Sequence, residues 1–200
     1  LALGLDLGGT TARAAVVERE TGRVVESQKH TWADRTPEAV VEGTTALIAK
    51  LPKTDGPVGI GVAAMLRGGV VVNAPNLGWR DVDFGGQLSK ALGREVRLMN
   101  DLSAAAWGEF KAGAARGVRD SFTVFVGTGV GSAIIADGAL VSGATQVAAE
   151  FGHIKLTAEG GRRCGCGQDG CLEAYAGGAK LGESMKEEGL TGTAGDLDGL

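Results

Sequence analysis

Residues 150–173 carry the most informative pattern of the chain. They begin Glu150-Phe151-Gly152-His153 and end Cys164-Gly165-Cys166-Gly167-Gln168-Asp169-Gly170-Cys171-Leu172-Glu173. All three cysteines of the sequence lie here, and His153 precedes the first of them by eleven residues. Three thiolates and an imidazole are a Cys3His set, the ligand number of a closed structural zinc site. The interleaved glycines allow the tight turns that bring three sulfurs together. The stretch therefore predicts Zn²⁺ bound by His153, Cys164, Cys166 and Cys171.

Two alternatives compete with zinc at these cysteines. One is three buried free cysteines beside an unrelated histidine, but chance rarely places every cysteine of a chain in one Cys-x-Cys-x4-Cys run. The other is a disulfide framework, but the number of cysteines is odd and the chain is neither short nor rich in cysteine. The residues therefore favour zinc.

Glu150 and Glu173 flank the cysteine-rich run, and metal binding would fix the positions of both carboxylates. Immobilised carboxylates accept hydrogen bonds from hydroxyl groups, which a polyol substrate offers in number. The spacing alone equally allows two solvated surface glutamates.

The composition limits the classes of partner. A net charge of −4 over 200 residues gives no indication of nucleic acid or of an anionic membrane surface as a partner. No apolar run approaches the ~18 residues of a membrane span, and no basic segment precedes a signal-like stretch. We therefore expect a cytoplasmic protein that binds neither nucleic acid nor membrane. Glycine accounts for 35 residues, well above its usual share of about 7%, which predicts tight turns and close backbone approaches.

A coarse pattern of strands and helices indicates an α/β protein. A helix begins at Thr36, as N-cap, and Pro37, and it ends before Pro52. A second helix is stopped by Gly93. The predicted strands are 1–7, 12–18, 23–31, 58–63, 69–73, 96–99, 122–126, 133–136 and 139–141, and the predicted helices are 36–51, 84–92 and 102–115.

Two similar glycine-rich loops separate apolar strands. The first runs from Asp6 to Thr11, and the second from Val126 to Gly131. Such turns present backbone N–H groups and hydroxyls to an anion, and an aspartate can hold a hydrated Mg²⁺. A single Gly-Gly hairpin is more often only a turn, but the repetition favours phosphate binding. The candidate residues are Asp6, Gly8, Gly9, Thr10, Thr11, Gly127, Thr128 and Gly129.

Asn100 and Asp101 follow the predicted strand 96–99 and precede the helix 102–115. Ligands of open α/β sheets bind at the C-terminal ends of strands, so both side chains are candidates for a site. From the residues alone, Asp101 as the cap of the following helix is the favoured role.

The motif Glu-Phe-Gly-His followed by Cys-Gly-Cys-Gly-x-x-Gly-Cys-x-Glu resembles the signature of the ROK family (repressors, open reading frames, sugar kinases), above all that of its bacterial glucokinases. The resemblance extends from Leu3 to about Tyr175. It implies the ribonuclease-H-like fold of the actin-like ATPase superfamily, with two lobes and a cleft between them. The two glycine-rich loops resemble the paired phosphate loops of that superfamily. We expect a first lobe over 1–116, a hinge near 113–119, and the beginning of a second lobe over 117–200.

The resemblance implies ATP-dependent phosphorylation of a hexose, most simply of glucose to glucose 6-phosphate. Asp101 would be the general base, and the two loops with Asp6 would hold Mg²⁺ and the phosphates of ATP. Sugar hydroxyls would be bound by Asn76, Asn100, Asp101, Glu150, His153 and Glu173. Members of the family often form homodimers or homotetramers. The alternatives are a sugar-sensing transcriptional repressor and a kinase for an N-acetylated hexosamine.

The sequence departs from the family pattern at several positions. Ser132 and Ala133 stand where glycines are common after the second loop, and Gln146 and Ala149 where glycines are common before Glu-x-Gly-His. Residues 63–65 replace a Pro-Gly stretch of many members. We expect these changes to alter the fine shape of the pocket. No glycine-rich motif for adenosine follows before Leu200, so we also expect either a fragment or an incomplete nucleotide site.

Overall fold

The structure, a computed structural model, describes residues 1–189. The chain divides into two compact units, Leu1–Ser121 with Ile135–Val147, and Phe122–Ile134 with Ala148–Leu200. The lobe boundary expected between residues 116 and 117 stays a prediction, as does the hinge. Within the described residues, none of the helices combines the length and the apolar character needed to cross a bilayer.

Eleven strands and five helices are present in residues 1–189. The strands are β1 (Ala2–Leu7), β2 (Thr11–Val17), β3 (Val24–Thr31), β4 (Val58–Val62), β5 (Met65–Arg67), β6 (Val70–Ala74), β7 (Trp79–Val82), β8 (Val96–Asn100), β9 (Ser121–Val126), β10 (Val130–Ala136) and β11 (Ala139–Leu140). The helices are α1 (Pro37–Ile48), α2 (Phe84–Leu92), α3 (Asp101–Ala112), α4 (Glu173–Ala176) and α5 (Gly178–Glu187), with a 3-10 turn at Phe151–His153.

A five-stranded sheet of order β3-β2-β1-β4-β8 forms the centre of the first unit. β1, β2 and β3 pair antiparallel, whereas β4 and β8 run parallel to β1. The alternation of leucine in β1 buries Leu3, Leu5 and Leu7, as its period of two predicts. Because three strands, a helix and a further strand were expected from the sequence, the predicted α/β arrangement of this sheet is confirmed.

The helices of the first unit cover this sheet with apolar faces. α1 buries Val40, Thr44 and Leu47, which recur at helical spacing. α2 buries Phe84 and Leu88 and ends at Gly93, whose φ of 62° is left-handed, as the predicted glycine stop requires. Both helices therefore follow the predicted pattern closely.

The end of one helix and the cap of another differ from the predictions. Thr36 occupies the N-cap position of α1, but its hydroxyl donates to Asp34 Oδ2 at 3.1 Å and does not cap the helix. α3 ends at Ala112, three residues before its predicted end, because the Glu109 carboxylate accepts the N–H of Ala114 at 2.8 Å and turns the chain.

Two short strands were not predicted. β5 and β7 flank β6 in an antiparallel sheet of order β5-β6-β7. Trp79 opens β7, is buried against Phe84 with ring centroids 5.1 Å apart, and donates its indole N–H to the Arg35 carbonyl at 2.6 Å. Trp79 is therefore a core residue.

Candidate functional site

The parallel strands of the first unit bring two aspartates to the same edge of the sheet. In the register of the sheet, Asp6 of β1 stands beside Gly61 of β4, which stands beside Met99 of β8. Asp101 follows two residues after Met99, at the C-terminal end of β8. Burial raises the pKa of the Asp101 carboxyl above its ordinary value, and the negative charge of Asp6 adds to this effect. The backbone N–H groups of Leu102 and Asp101 lower that pKa, because they donate to the Asp101 carboxylate.

Asn100, and not Asp101, caps α3. The Oδ1 atom of Asn100 accepts the N–H groups of Leu102 and Ser103, both at 3.1 Å. The expectation that Asp101 serves as the cap is therefore wrong. Its physical reason is that β8 continues through Asn100, whose extended ψ of 141° suits an N-cap, so that Asp101 is already the first helical residue. The cap uses only Oδ1, and the amide N–H groups of Asn100 are not part of it.

A glycine sets how closely α3 approaches the sheet. A Cβ atom built on Gly61 would lie 3.3 Å from Ala104 Cβ and 3.4 Å from Asp101 Cα. Residue 61 thus lies directly beneath the first turn of α3. The absence of a side chain at this residue fixes the position of the Asp101 backbone relative to β4.

The first glycine-rich loop is held from two sides. The Gly8 N–H donates to the Thr11 carbonyl at 2.9 Å, which closes the turn. Trp32 donates its indole N–H to the Gly8 carbonyl at 3.1 Å and its backbone N–H to the Thr10 carbonyl at 2.9 Å. On the other side, Gly9 lies so close to the Asn76 carbonyl that no side chain would fit at residue 9.

These contacts bring the predicted residues Gly8, Gly9 and Thr10 together with Asn76. Arg35 adds a further contact by donating from Nη1 to the Asn76 carbonyl at 3.2 Å. Sequence reasoning missed Trp32 and Arg35. Trp32 lies 24 residues from Gly8 and Arg35 lies 41 residues from Asn76 in sequence. The only available signal was the position of Trp32 directly after β3.

The second glycine-rich loop is bound to the start of α5. Its Gly127 N–H donates to the Gly129 carbonyl at 2.9 Å. The carbonyls of Gly127 and Thr128 accept the N–H groups of Gly178 and Ala179 at 2.7 and 3.1 Å. Helix α5 and these contacts were not predicted, because nothing in the polar sequence after Tyr175 indicates a loop partner.

The four predicted zinc ligands come together in the second unit. The ligand atoms of His153, Cys164, Cys166 and Cys171 all lie within 4.8 Å of one another. Cys166 Sγ and Cys171 Sγ are 3.7 Å apart, and Cys164 Sγ is 3.8 Å from His153 Nδ1. A tetrahedral site with Zn–S bonds of about 2.3 Å would separate two sulfurs by about 3.8 Å. The donor set and its spacing therefore fit a structural zinc ion.

All three cysteines are free, and the sulfur separation of 3.7 Å is far from the ~2.05 Å of a disulfide bond. Burial raises the pKa of the Cys164 thiol to about 12. A metal ion bound by this sulfur has to displace its proton, so metal binding at this cluster should weaken as the pH falls. Gly167 and Gly170, with φ of 88° and 76°, supply the left-handed backbone that the turns between the cysteines need.

Three predicted sugar-binding residues adjoin this cluster. His153 directs Nδ1 toward Cys164, while its Nε2 lies 3.8 Å from Glu150 Oε2. Glu173 directs Oε1 toward Cys164 Sγ at 3.6 Å, and its Oε2 accepts the N–H of Val130 at 3.0 Å. Glu173 therefore connects the cluster of cysteines and His153 with Val130 of the second loop. The roles of Glu150, His153 and Glu173 toward a sugar stay predictions.

Comparison with known proteins gives a consistent result. The pattern of the ROK family matches residues 2–197. A glucokinase from Streptomyces coelicolor is 38% identical over 191 residues, which cover 94% of this chain and 59% of that protein. An N-acetylmannosamine kinase from Citrobacter koseri is 35% identical over 179 residues, which cover 88% of this chain and 61% of that protein.

A solved structure agrees with these relatives. The crystal structure of a ROK family glucokinase from Streptomyces griseus in complex with glucose and AMPPNP superposes with a TM-score of 0.80 at 38% identity, over 94% of this chain and 60% of that one. The chain thus spans about three fifths of the length of these relatives. The predicted ribonuclease-H-like, actin-like ATPase fold class is confirmed. Because the pattern of the ROK family matches nearly the whole length of the chain, the chain belongs to the ROK family.

Proposed function

We propose that this protein is part of an ATP-dependent hexose kinase that converts glucose to glucose 6-phosphate. The observation that carries the proposal is the edge of the five-stranded sheet, where Asp6, the first glycine-rich loop and Asp101 meet. A carboxylate for a hydrated metal ion, backbone N–H groups for phosphate and a second, half-buried carboxylate are the parts that phosphoryl transfer to a hydroxyl needs.

Asp101 is the proposed general base. Its carboxylate takes the proton from the sugar O6 hydroxyl as that oxygen attacks the γ-phosphorus of ATP, and ADP leaves with the electron pair of the broken P–O bond. Burial and the charge of Asp6 raise the pKa of Asp101. A raised pKa makes the carboxylate a stronger base near neutral pH, which is the direction that general base catalysis favours.

The two glycine-rich loops are the proposed phosphate sites, and Asp6 is the proposed partner of hydrated Mg²⁺. ATP bound with Mg²⁺ would supply the transferred phosphoryl group. The protein's contribution is mainly to position the phosphates. The contacts of Trp32 with Gly8 and Thr10 support this role, because they turn two loop carbonyls toward the protein.

Glu150, His153 and Glu173 are the proposed partners of the sugar hydroxyls in the second unit. The four zinc ligands would hold the chain on either side of these residues, and bound zinc would supply rigidity, not chemistry. His153 supports the proposal because its Nδ1 faces the cysteines while Nε2 lies on the side of Glu150. One imidazole can thus bind a metal through one nitrogen and donate to a hydroxyl through the other.

Glucose is proposed as the substrate because a relative 38% identical has been solved with glucose and AMPPNP. The 35% identity to an N-acetylmannosamine kinase supports a second candidate, an N-acetylated hexosamine. From the family resemblance we also propose a cytoplasmic homodimer or homotetramer whose product enters glycolysis.

The test is calorimetric binding of glucose, 2-deoxyglucose, 6-deoxyglucose and N-acetylmannosamine, each paired with an assay of ATP turnover. We expect 6-deoxyglucose to bind without being phosphorylated, because it lacks the attacking oxygen. Loss of a hydroxyl that satisfies a buried carboxylate should weaken binding by about 1–3 kcal/mol. A strong preference for N-acetylmannosamine would contradict glucose as the substrate but leave the proposed mechanism unchanged. Sugar binding without any ATP turnover would contradict the kinase and favour a sugar-sensing regulator.

A further inference from the structure

The segment before Glu150 contains two side-chain-bearing residues with left-handed backbone. Gln146 has a φ of 59° and Ala149 a φ of 66°. An L residue other than glycine populates this region about 5- to 30-fold less readily than the right-handed one. Both residues therefore have a backbone conformation that glycine adopts most readily.

Ser132 supplies a contact that holds one of these two residues. Its hydroxyl donates to the Ala149 carbonyl at 2.5 Å. Ser132 lies in β10 and is only 8% exposed, so its hydroxyl needs a partner within the protein. The same Ala149 carbonyl accepts the N–H of Phe151 at 2.7 Å, which tightens the turn that carries Glu150. The donor from the strand and the donor from the turn thus meet on one oxygen.

A second point of β10 fixes the other end of the turn. The carbonyl of Val130 lies against Gly152 so closely that a side chain at residue 152 would not fit. Residues 130 and 132 of a strand point to the same face, and both are buried. The turn from Ala149 to Gly152 therefore contacts β10 at two places, Ser132 and Val130, with Glu150 between them.

We propose that Ser132 is a positioning residue for the sugar site, acting through Ala149 on Glu150. The hydroxyl keeps Ala149 left-handed, and the backbone of Ala149 determines the direction in which the Glu150 side chain leaves the chain. Loss of the hydroxyl lets Ala149 relax to the right-handed region and turns Glu150 away. The proposal rests on the proposed function for its effect on sugar, but not for its effect on the turn.

The test is a double-mutant cycle of Ser132→Ala and Ala149→Gly, with glucose binding measured by calorimetry. Ser132→Ala alone should weaken glucose binding by about 5- to 30-fold, because the apparent affinity falls with the fraction of protein in the competent conformation. Glycine adopts the left-handed region without penalty. Ala149→Gly alone should therefore bind glucose within about twofold of the parent, and the double variant should do so as well.

Gln146→Gly is the matched control, because residue 146 has the same sign of φ but its carbonyl is not the one that Ser132 contacts. In the Gln146→Gly background, Ser132→Ala should still weaken glucose binding by about 5- to 30-fold. An equal effect of Ser132→Ala with alanine and with glycine at residue 149 would overturn the proposal and leave Ser132 a packing residue.

A second readout separates this proposal from the proposed function. The amides of Phe151 and His153 donate within the turn, to the Ala149 and Glu150 carbonyls. Ser132→Ala should raise their hydrogen-exchange rates by about 5-fold or more, and Ala149→Gly should remove that increase. A protein that binds no sugar but shows this exchange pattern would contradict the sugar kinase and support the positioning role. Unchanged exchange in Ser132→Ala would overturn the positioning role whatever the sugar affinity.

Discussion

Replacement of Gly61 by alanine tests whether Asp101 is held in place by the packing of α3 on β4. The new Cβ atom would lie 3.3 Å from Ala104 Cβ and 3.4 Å from Asp101 Cα. A relaxed contact between two carbon atoms is about 3.5–4.0 Å. The first turn of α3 therefore has to move by a few tenths of an ångström, and Asp101 moves with it.

The size of the effect follows from this displacement. Overpacking costs about 1–3 kcal/mol, and the removal of a glycine from a strand returns about 0.5–1 kcal/mol. We expect the free energy of unfolding to fall by at most about 2.5 kcal/mol. Misplacement of a reacting group by 1 Å costs about 10²-fold in rate, so a third of that distance should lower kcat about fivefold while KM changes little.

Gly59→Ala is the matched control in the same strand, because the nearest atom to its Cβ is the Leu3 carbonyl oxygen at 4.0 Å. This variant should gain about 0.5–1 kcal/mol in stability and keep the parent kcat. Urea denaturation and steady-state kinetics measure both quantities. A kcat for Gly61→Ala equal to that of Gly59→Ala would refute the reasoning that this packing positions Asp101, the proposed general base.

Three further outcomes are expected. Asp101→Asn should keep sugar binding and lower kcat by about 10²–10⁴. Because burial raises the pKa of Asp101, its ionisation opposes folding above that pKa. The asparagine variant should therefore gain stability at neutral pH in thermal unfolding, and the gain should vanish below the ordinary pKa of aspartate. Metal analysis should find one zinc per chain, and the Cys166→Ser variant should lose it. That variant should also speed hydrogen exchange at the Val130 N–H, which donates to the Glu173 carboxylate. A fully active metal-free protein would contradict this prediction. Gly9→Ala should weaken binding of Mg·ATP by about tenfold or more in a titration, because no side chain fits at residue 9. In Gly127→Ala the new Cβ atom has no other atom within 4 Å, so this variant should fold normally.

The sequence predicts those parts of the fold that depend on neighbouring residues. The alternating leucines of β1 and the Gly93 stop of α2 need only local physics, and both occur as expected. The choice between Asn100 and Asp101 as helix cap could not be made in this way. Both side chains are good caps, and the selection depends on where β8 ends, which its pairing with β4 determines.

Contacts between residues distant in sequence could not be predicted for a different reason. The approach of Gly9 to Asn76 and the hydrogen bond from Trp32 to Gly8 leave no periodicity or spacing to detect. The strands β5 and β7 are three and four residues long, and their pairing with β6 decides their conformation. By contrast, the clustering of His153 with the three cysteines, the predicted metal ligands, was predictable, because three of them lie within eight residues and the turns between them require glycine.

The first compact unit consists of two separate segments of the chain, Leu1–Ser121 and Ile135–Val147. The segment Ile135–Val147 contacts the end of the segment Leu1–Ser121 through Asp137. The Asp137 carboxylate forms an ion pair with Arg119 at 2.9 Å, and its backbone N–H donates to Asp120 Oδ1 at 2.7 Å. During synthesis from the N-terminus, residues 122–134 emerge before these partners do. The first unit therefore cannot complete its folding until part of the second has left the ribosome. A chain terminated at Ser121 should lack these closing contacts and be cleaved by proteases faster near residue 119 than the longer chain.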